Sequence, residues 1–287
     1  MKLKLFAPAK INLGLAVTGK LENGYHTLDT IFTTLNTGDV LSLEPQDSGI
    51  LLEILGPDLP TNSENLVYRA AERYLELAGI DAGVRLVLEK NLPIAAGLGG
   101  GSSDAAATLR GLSRIYPSTI DLPALAKSLG ADVPFLLEAV SGHFTAARAQ
   151  GIGEILEPLE LSEVHLVLAN PGVGITAKEA YVGLRGRFGE SLEVEKIVRA
   201  LEQREAPPYR NDLERPVLEA YSIVTEVKRE LEQAGLHGVL MSGSGSTCFG
   251  LARDSQQATE AAIQLSRAHP DWWICPTSTQ GPHDELA

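Results

Sequence analysis

A glycine-rich loop is the part of the sequence best suited to chemistry, because its residue types match what a phosphate group needs. The loop, NLPIAAGLGGGSS, runs from 91 to 103 and contains Gly97, Gly99, Gly100, Gly101, Ser102 and Ser103. Glycine lets a backbone approach a ligand closely, and the start of a helix offers unpaired N–H groups that bind anions. A Walker loop is excluded because no lysine occurs between Gly97 and Arg110, and the Rossmann fingerprint fails because its sixth position is Ser102. The loop therefore predicts phosphate binding, ahead of the alternative that it is a flexible linker.

Three polar residues elsewhere could act on a bound phosphate: Lys10, Asn12 and Asp132. Lys10 and Asn12 alternate with apolar residues in AKINLGL, residues 9–15, so they lie on one face of a predicted half-buried strand. Asp132 stands in SLGADVPF, between a helix end at Gly130 and the start of another helix. Asp can serve as a general base, but it is also a favoured N-cap, and the local pattern alone favours the cap. A lone strand lysine is likewise usually solvated.

Two further segments carry polar or aromatic residues at turns. Tyr25 and His26 follow Asn23-Gly24, a dipeptide typical of tight hairpin turns. Taken locally, they are a half-exposed aromatic pair at the start of the returning strand. A second glycine-rich turn, SGSGST at 242–247, lies between two other predicted strands. Local sequence by itself assigns neither segment a function.

The elements that must position these residues follow from hydrophobic spacing. In the first half, strands are predicted at 9–15, after Gly24, at 40–44, 50–55 and 84–90, and helices at 64–78 and 103–115, the second with Ser102 or Ser103 as N-cap. In the second half, strands are predicted at 164–169, 238–241, 247–251 and near the end, helices between 176 and 234 and at 255–267, and a surface loop at 204–211. This order predicts an α+β fold in two parts, 1–158 and 159–287.

Composition narrows the function classes. The formal net charge is −13, and an acidic surface repels phosphate backbones, so we expect no nucleic-acid partner. An anionic small ligand must then be held by local donors. Cys248 and Cys275 lack zinc-site spacing, and no carboxylate pair or H-x-x-x-H pattern occurs, so we name no metal ligands. No signal peptide and no apolar run of the ~18 residues that span a membrane is evident, so we expect a cytoplasmic protein with no membrane partner.

Three motifs together resemble the GHMP kinase superfamily, which includes galactokinase, homoserine kinase and mevalonate kinase. PAKINLGL at 8–15 is similar to its first motif, the run from Pro93 to Ala106 to its phosphate loop, and MSGSGST at 241–247 to its third motif. NGYHTLDT at 23–30, LGADVPF at 129–135 and NDLE at 211–214 narrow the resemblance to the 4-diphosphocytidyl-2-C-methyl-D-erythritol kinase family. The resemblance covers most of the chain and implies a two-lobe α+β fold, an N-terminal mixed sheet with helices and a small C-terminal α/β sandwich, with the active site in the cleft between them.

The resemblance implies the catalytic roles. Lys10 pairs with Asp132 beside the accepting hydroxyl, and Asp132 is the catalytic base. Asn12 hydrogen-bonds the same hydroxyl or the transferring phosphate. ATP is the co-substrate, with Mg²⁺ expected to accompany it. The residues implied to bind its phosphates are Pro93, Ile94, Ala95, Ala96, Gly97, Leu98, Gly99, Gly100, Gly101, Ser102 and Ser103.

The resemblance also implies how the second substrate binds. Tyr25 stacks on a cytosine ring, His26 hydrogen-bonds its polar edge, and Tyr181 forms the other side of the sandwich. The segment ITAKEAY around Tyr181 departs from the family's more usual Pro-Thr sequence after the glycine turn. Gly243 and Gly245 support the substrate and the phosphate loop.

The activity implied is an ATP-dependent phosphorylation of the 2-hydroxyl of 4-diphosphocytidyl-2-C-methyl-D-erythritol, which yields the 2-phosphate and ADP for non-mevalonate isoprenoid synthesis. The partners implied are these small molecules, with the oligomeric state left open. One alternative is another superfamily kinase that acts on homoserine, mevalonate or a sugar. A second is a relative that binds nucleotide without catalysis. Tyr25 and His26 disfavour the first alternative, since a small acyclic substrate has no base to stack on.

Overall fold

Two β-sheets with packed helices organise residues 2–279, the part of the chain that the computed structural model describes. The strands are β1 (Leu3–Lys20), β2 (His26–Gln46), β3 (Ile50–Leu55), β4 (Gly83–Glu89), β5 (Ala146–Gly151), β6 (Ile155–Pro158), β7 (His165–Asn170), β8 (His237–Met241), β9 (Cys248–Ala252) and β10 (Trp273–Ser278). The helices are α1 (Leu66–Ala78), α2 (Gly100–Ile115), α3 (Leu122–Leu129), α4 (Val133–Val140), α5 (Ala177–Gly183), α6 (Val194–Glu202), α7 (Glu214–Ala220), α8 (Ser222–Gln233) and α9 (Ser255–Ala268). The predicted α+β class is confirmed.

The first sheet is built around one long hairpin. β1 and β2 pair antiparallel from Leu3↔Leu43 to Lys20↔His26, and Asn23-Gly24 turns between them as predicted, with Gly24 at φ 89°. The sheet continues in the order β3-β4-β2-β5-β6, with β3 and β4 parallel. The separate strand predicted at 40–44 is wrong, because these residues are the far end of β2. The turn-type residues Asn36, Gly38 and Asp39 lie inside the strand, where the pairing with β1 shifts register between Pro8 and Lys10 and no turn forms.

The second sheet has the order β10-β7-β9-β8, and helices α8 and α9 pack on it. Its predicted strands and helices are all present within one or two residues of the expected bounds. The segment 204–211 is a loop, as predicted, and most of it is exposed. Within residues 2–279, the helices are all too short or too polar to cross a bilayer.

The strand at 9–15 is buried on both faces, so the prediction of a half-buried strand is wrong. Ile11 and Leu13 pack in a cluster with Leu168 and Phe249 of the second sheet. Lys10 and Asn12 on the opposite face are only 4% and 1% exposed. Polar character on that face therefore marks a buried site and not a solvated surface.

Helix α2 begins earlier than predicted, and its N-cap is Gly99, so a serine cap at Ser102 or Ser103 is wrong. Gly99 takes the left-handed φ of 69° and makes no side-chain capping bond. A Cβ there would lie 2.8 Å from Cγ of Lys10, so only glycine fits between the loop and β1. The helix start is thereby held directly against the strand that carries Lys10.

Candidate active site

Lys10 and Asp132 meet although 122 residues separate them in the chain. Nζ of Lys10 lies 3.4 Å from Oδ2 of Asp132 and donates a hydrogen bond of 2.9 Å to Oδ1 of Asn12. It also lies 5.0 Å from the ring centroid of Phe32. The Lys10 side chain is 5% exposed and that of Asp132 is 31% exposed, so the ammonium is enclosed while the carboxylate opens to the cleft. This is the arrangement that a base and its cationic partner require.

Asp132 does stand at the start of helix α4, but its side chain does not cap the helix. It makes no capping hydrogen bond, whereas Asp121, at the start of the preceding helix, accepts one of 2.9 Å from N–H of Ala124. The helix position therefore fixes where Asp132 lies, while its carboxylate remains available to Lys10. The helix-cap interpretation of the local pattern is therefore correct for the backbone position of Asp132 and wrong for its side chain.

Asn12 is oriented by a short chain of buried hydrogen bonds. Its Nδ2 donates to Oγ1 of Thr30 at 2.8 Å, and that hydroxyl donates to the carbonyl of Gly14 at 2.6 Å. The amide oxygen of Asn12 is thus turned toward Lys10. Sequence reasoning missed Thr30, although it lies in the NGYHTLDT segment, because a threonine in a strand carries no local signal of such a role.

The carbonyl groups of the glycine loop are turned into the protein. Those of Ala95, Ala96 and Leu98 accept hydrogen bonds from the N–H groups of Ile175, Thr247 and Lys10, respectively, at 2.9–3.3 Å. That of Gly97 accepts from the Ser242 hydroxyl at 2.9 Å. Within residues 2–279, the N–H groups from Leu98 to Ser102 donate to no protein acceptor. A row of free N–H groups at a helix start is the feature that binds phosphate.

The glycine turn at 242–247 packs directly on this loop. A Cβ on Gly97, which has φ 76°, would lie 2.1 Å from the carbonyl oxygen of Ser242. Asn211 supports the turn, because its Nδ2 donates to the carbonyls of Met241 and Gly243 at 2.8 and 2.7 Å. The sequence singles out Asn211 only as part of NDLE, and its structural role depends on partners that are 30 or more residues away.

A second, larger cavity lies beside the cleft. It has a volume of 830 Å³ and is lined by residues that include Tyr25, His26 and Tyr181. Tyr181 also lines the cleft that contains Lys10, Asn12, Asp132, Gly97, Gly99 and Gly243. Tyr181 therefore joins the two cavities, because its side chain lines both.

The aromatic residues of the larger cavity are arranged around His26. Its ring stacks on that of Tyr181, with centroids 4.8 Å apart and an angle of 16°, while Tyr25 is 59% exposed. The ring of His26, and not open space, therefore covers this face of Tyr181. Burial and the Lys20 ammonium lower the pKa of His26, so its imidazole is neutral at pH 7. Burial, and secondarily the Asp132 carboxylate, raise the pKa of Tyr181.

The remaining residues of the predicted phosphate loop do not all face the cleft. Ile94 and Gly101 are exposed, Pro93 is half-buried, and the side chains of Ala96 and Leu98 pack in the core cluster shared by the two sheets. Ser103 is fully buried, and its hydroxyl has no hydrogen-bond partner among the described residues. Across residues 2–279, no group of three or more His, Cys, Asp or Glu side chains is arranged to hold a metal ion.

Comparison with known proteins places this geometry in a family. The family models described as GHMP kinases N terminal domain and GHMP kinases C terminal match residues 65–148 and 191–271. A 4-diphosphocytidyl-2-C-methyl-D-erythritol kinase from Deinococcus radiodurans is 49% identical, over 96% of this chain and 93% of its own length. A crystal structure of 4-(cytidine 5'-diphospho)-2C-methyl-D-erythritol kinase superposes with a TM-score of 0.85 at 46% identity, covering 97% of this chain and all of the other.

A homoserine kinase from Cytophaga hutchinsonii shares the fold at lower similarity. Its TM-score is 0.69 at 20% identity, over 98% of this chain and 95% of its own. Identity at this level supports a common architecture and carries no statement about substrate.

Proposed function

Because the chain belongs to the 4-diphosphocytidyl-2-C-methyl-D-erythritol kinase family, within the GHMP kinase superfamily, we propose that it transfers the γ-phosphate of ATP to the 2-hydroxyl of that cytidine diphosphate-linked polyol. The product is the 2-phosphate, and ADP is released. The observation that carries the proposal is the 3.4 Å approach of Lys10 to Asp132 in a cleft walled by the glycine loop.

In the proposed mechanism, Asp132 accepts the proton of the accepting hydroxyl as the new oxygen–phosphorus bond forms. The bond between the γ-phosphorus and the bridging oxygen breaks, and the electron pair leaves with ADP. Lys10 lies beside the Asp132 carboxylate and compensates the negative charge that develops on the transferring group. Asn12, held by Thr30, is suited to orient the hydroxyl or the phosphate.

ATP is proposed to bind along residues 93–103. The free N–H groups from Leu98 to Ser102 match phosphate oxygens, and they supply local donors that an acidic protein needs to hold an anion. We further propose that Mg²⁺ arrives on the ATP phosphates, where it neutralises charge and keeps its own waters. The described residues fit that arrangement better than a protein-caged ion, because they form no cluster of metal ligands.

The cytidine end of the acceptor is proposed to bind in the 830 Å³ cavity. A neutral imidazole at His26 can both donate to and accept from the polar edge of cytosine, while the rings of Tyr25 and Tyr181 supply stacking surface. Since the His26 ring stacks on Tyr181, this ring must move before a base can bind between Tyr25 and Tyr181. Edge contacts discriminate between bases and stacking does not, so cytosine preference is assigned to His26.

The decisive experiment is identification of the product. The protein is incubated with ATP and 4-diphosphocytidyl-2-C-methyl-D-erythritol, and the product is analysed by mass spectrometry and ³¹P NMR. One added phosphate on the 2-oxygen is expected, together with ADP in equal amount. Homoserine, mevalonate and galactose serve as competing acceptors in the same assay.

Two outcomes would redirect the proposal. Faster turnover with one of the competing acceptors would assign the chain to another superfamily reaction. ATP binding without acceptor-dependent ADP release would support a non-catalytic nucleotide-binding protein. The presence of both Lys10 and Asp132 in contact disfavours the second outcome, because a protein that had lost catalysis has no need of the pair.

A further inference from the structure

A buried ion cluster lies behind the glycine loop and takes no part in the mechanism above. Nζ of Lys90 donates to Oδ2 of Asp39 at 2.5 Å and to Oδ2 of Asp104 at 2.8 Å. The three side chains are 6%, 0% and 3% exposed, respectively. Sequence reasoning missed the cluster, because Asp39 lies in β2, Lys90 directly follows β4 and Asp104 lies in α2. Charges this deeply buried are retained only where they are paired.

The cluster joins the two ends of the loop. Lys90 directly precedes the loop, and Asp104 lies in the first turns of α2, directly after it. Oδ1 of Asp39 accepts the N–H groups of Asn91 and Leu92 at 2.6 and 2.9 Å, which fixes the first residues of the loop. The cluster therefore binds the loop at its entry and at its exit.

The cluster also packs against the backbone that opens helix α2. A Cβ on Gly100 would lie 3.3 Å from both Oδ2 of Asp39 and Nζ of Lys90. Gly100 belongs to the row of residues whose N–H groups have no protein acceptor among residues 2–279. The same peptide segment is thus in contact with the cluster on one side and is proposed to bind phosphate through its N–H groups.

The two carboxylates of the cluster are not equivalent. Asp39 receives three donors, two from the backbone and one from Lys90, while Asp104 receives only Lys90 and its Oδ1 has no partner among the described residues. Two carboxylates and one ammonium carry a net charge of −1 when both are ionised. Burial raises the pKa of Asp104 to about 7, the Lys90 ammonium lowers it, and the Asp39 carboxylate adds to the rise. Burial therefore opposes the ionisation of Asp104.

We propose that Lys90, Asp39 and Asp104 are positioning residues that hold both ends of the glycine loop in the form that binds ATP. The inference rests on the proposed ATP site. None of the three residues contacts the reacting atoms. Their effect is on the conformation of the loop, and so on affinity for nucleotide, while the acceptor site and the Lys10–Asp132 pair lie elsewhere in the cleft.

The first test replaces the ammonium. In Lys90→Met we expect the Kd of a non-hydrolysable ATP analogue, measured by isothermal titration calorimetry, and the KM for ATP to rise about tenfold or more, with the KM for the acceptor within about twofold of wild type. Lys90→Arg, which keeps the charge, should recover part of the affinity. The control is Lys196→Met, which removes an exposed lysine paired with Glu193 at 2.5 Å in the second half of the chain. A folded Lys90→Met protein with unchanged Kd for the analogue would overturn the proposal.

The second test uses Asp104→Asn, which keeps the shape of the side chain and removes its ionisation. It tests the proposal even if Lys90→Met does not fold. Ionisation of Asp104 above pH 7 adds a negative charge behind the proposed phosphate site, so KM for ATP in the wild type should rise with pH through about 7. In Asp104→Asn this rise in KM for ATP should be absent. At pH 8.5 the KM for ATP of the variant should therefore be about two- to fivefold lower than that of the wild type, as expected for charges in a partly screened site. The titration of ATP itself affects both proteins equally and cancels in the comparison. Identical pH courses in the two proteins, together with an unchanged Kd of the ATP analogue in Asp104→Asn, would contradict the proposed role.

The calorimetric measurement separates this inference from the proposed function. If the wild type binds the ATP analogue but phosphorylates no cytidine-linked acceptor, the proposed function fails and the cluster can still be tested through analogue affinity. If the wild type phosphorylates the acceptor and neither variant alters affinity for the analogue or its pH course, the inference alone fails.

Discussion

At the scale of single residues, the role of each active-site side chain depends on its surroundings as well as on its residue type. Asp132 occupies a helix start without capping it, and Lys10 lies in a strand without reaching solvent. Each is held by something other than the contact used for chemistry: the backbone of α4 holds Asp132, and the glycine loop encloses the Lys10 stem. A carboxylate held in this way is ready to accept a proton without rearrangement.

The base assignment predicts a large loss of rate in Asp132→Asn. The amide is of similar size but cannot accept the proton, so kcat should fall by about 10²–10⁴-fold, the usual contribution of a general base. Binding of ATP should change little, because Asp132 does not belong to the loop. Steady-state kinetics and calorimetry measure the two quantities. Asp121→Asn is the matched control, since Asp121 caps α3 and asparagine caps equally well; kcat above a tenth of wild type in Asp132→Asn would remove Asp132 as the base.

The assignment of cytosine recognition predicts a selective change in His26→Ala. Loss of the imidazole removes the edge contacts, so KM for the cytidine substrate should rise about tenfold or more while KM for ATP stays within about twofold. The control is His143→Ala, an exposed histidine whose side chain contacts Glu138, away from both cavities. Equal changes in both KM values would indicate that His26 supports the fold of the hairpin and does not read the base.

At the scale of elements, the site is made by two glycine segments that lock together. The loop before α2 and the turn at 242–247 share hydrogen bonds at Ala96 and Gly97. The carbonyl groups of the loop are turned toward this contact. Because the N–H group of each peptide unit points away from its carbonyl, the N–H groups of the loop are left for a ligand. The contact therefore joins the two glycine-rich segments into one rigid cradle.

This contact predicts that Gly97→Ala is damaging. The new Cβ would meet the Ser242 carbonyl at 2.1 Å in a left-handed backbone conformation, so the two segments must separate. We expect kcat/KM for ATP to fall by more than about tenfold, together with a loss of thermal stability. Gly79→Ala is the control: it has a similar φ of 62° and an open environment, so it should lose only about 1 kcal/mol of stability and keep its kinetics. Kinetics of Gly97→Ala that match those of Gly79→Ala would contradict the rigid-cradle account.

At the scale of the whole molecule, each sheet packs on a core cluster of its own, and a third cluster joins the two sheets. We propose residues 1–158 and 159–287 as the two lobes, with the change of sheet between Pro158 and His165. One core cluster nevertheless includes Ile11 and Leu13 from the first sheet and Leu168 and Phe249 from the second. A shared core makes the lobes depend on one another for stability.

The shared core predicts a single cooperative unfolding transition. Both tryptophans, Trp272 and Trp273, lie in the second lobe, so their fluorescence reports on that lobe while far-ultraviolet circular dichroism reports on both. Leu109→Ala, a fully buried change in the core of the first lobe, should destabilise by about 2–5 kcal/mol and shift both signals equally. A tryptophan transition that stays in place while the dichroism signal moves would show that the lobes unfold independently.

Much of the site could be predicted from sequence because its signals are local. Spacing and residue type indicated the hairpin at Asn23-Gly24 and the phosphate loop ahead of α2, whereas the roles of Lys10 and Asp132 followed from the family resemblance. Turn conformations and hydrophobic periodicity depend on residues close in sequence, so they can be predicted without knowledge of the fold. The serine N-cap failed because the deciding contact, between Gly99 and Lys10, crosses 89 residues of chain.

The sequence by itself determined the kinds of group available: a glycine loop that can bind phosphate, an ammonium, a carboxylate and an aromatic pair after a tight turn. Only the tertiary structure decided that Lys10 meets Asp132, that the polar face of β1 is buried, that Tyr181 joins two cavities and that Lys90 binds both ends of the loop. The physical reason is that burial and pairing of charges depend on which distant segments pack together. That packing follows from the free energy of the whole chain and not from any local pattern.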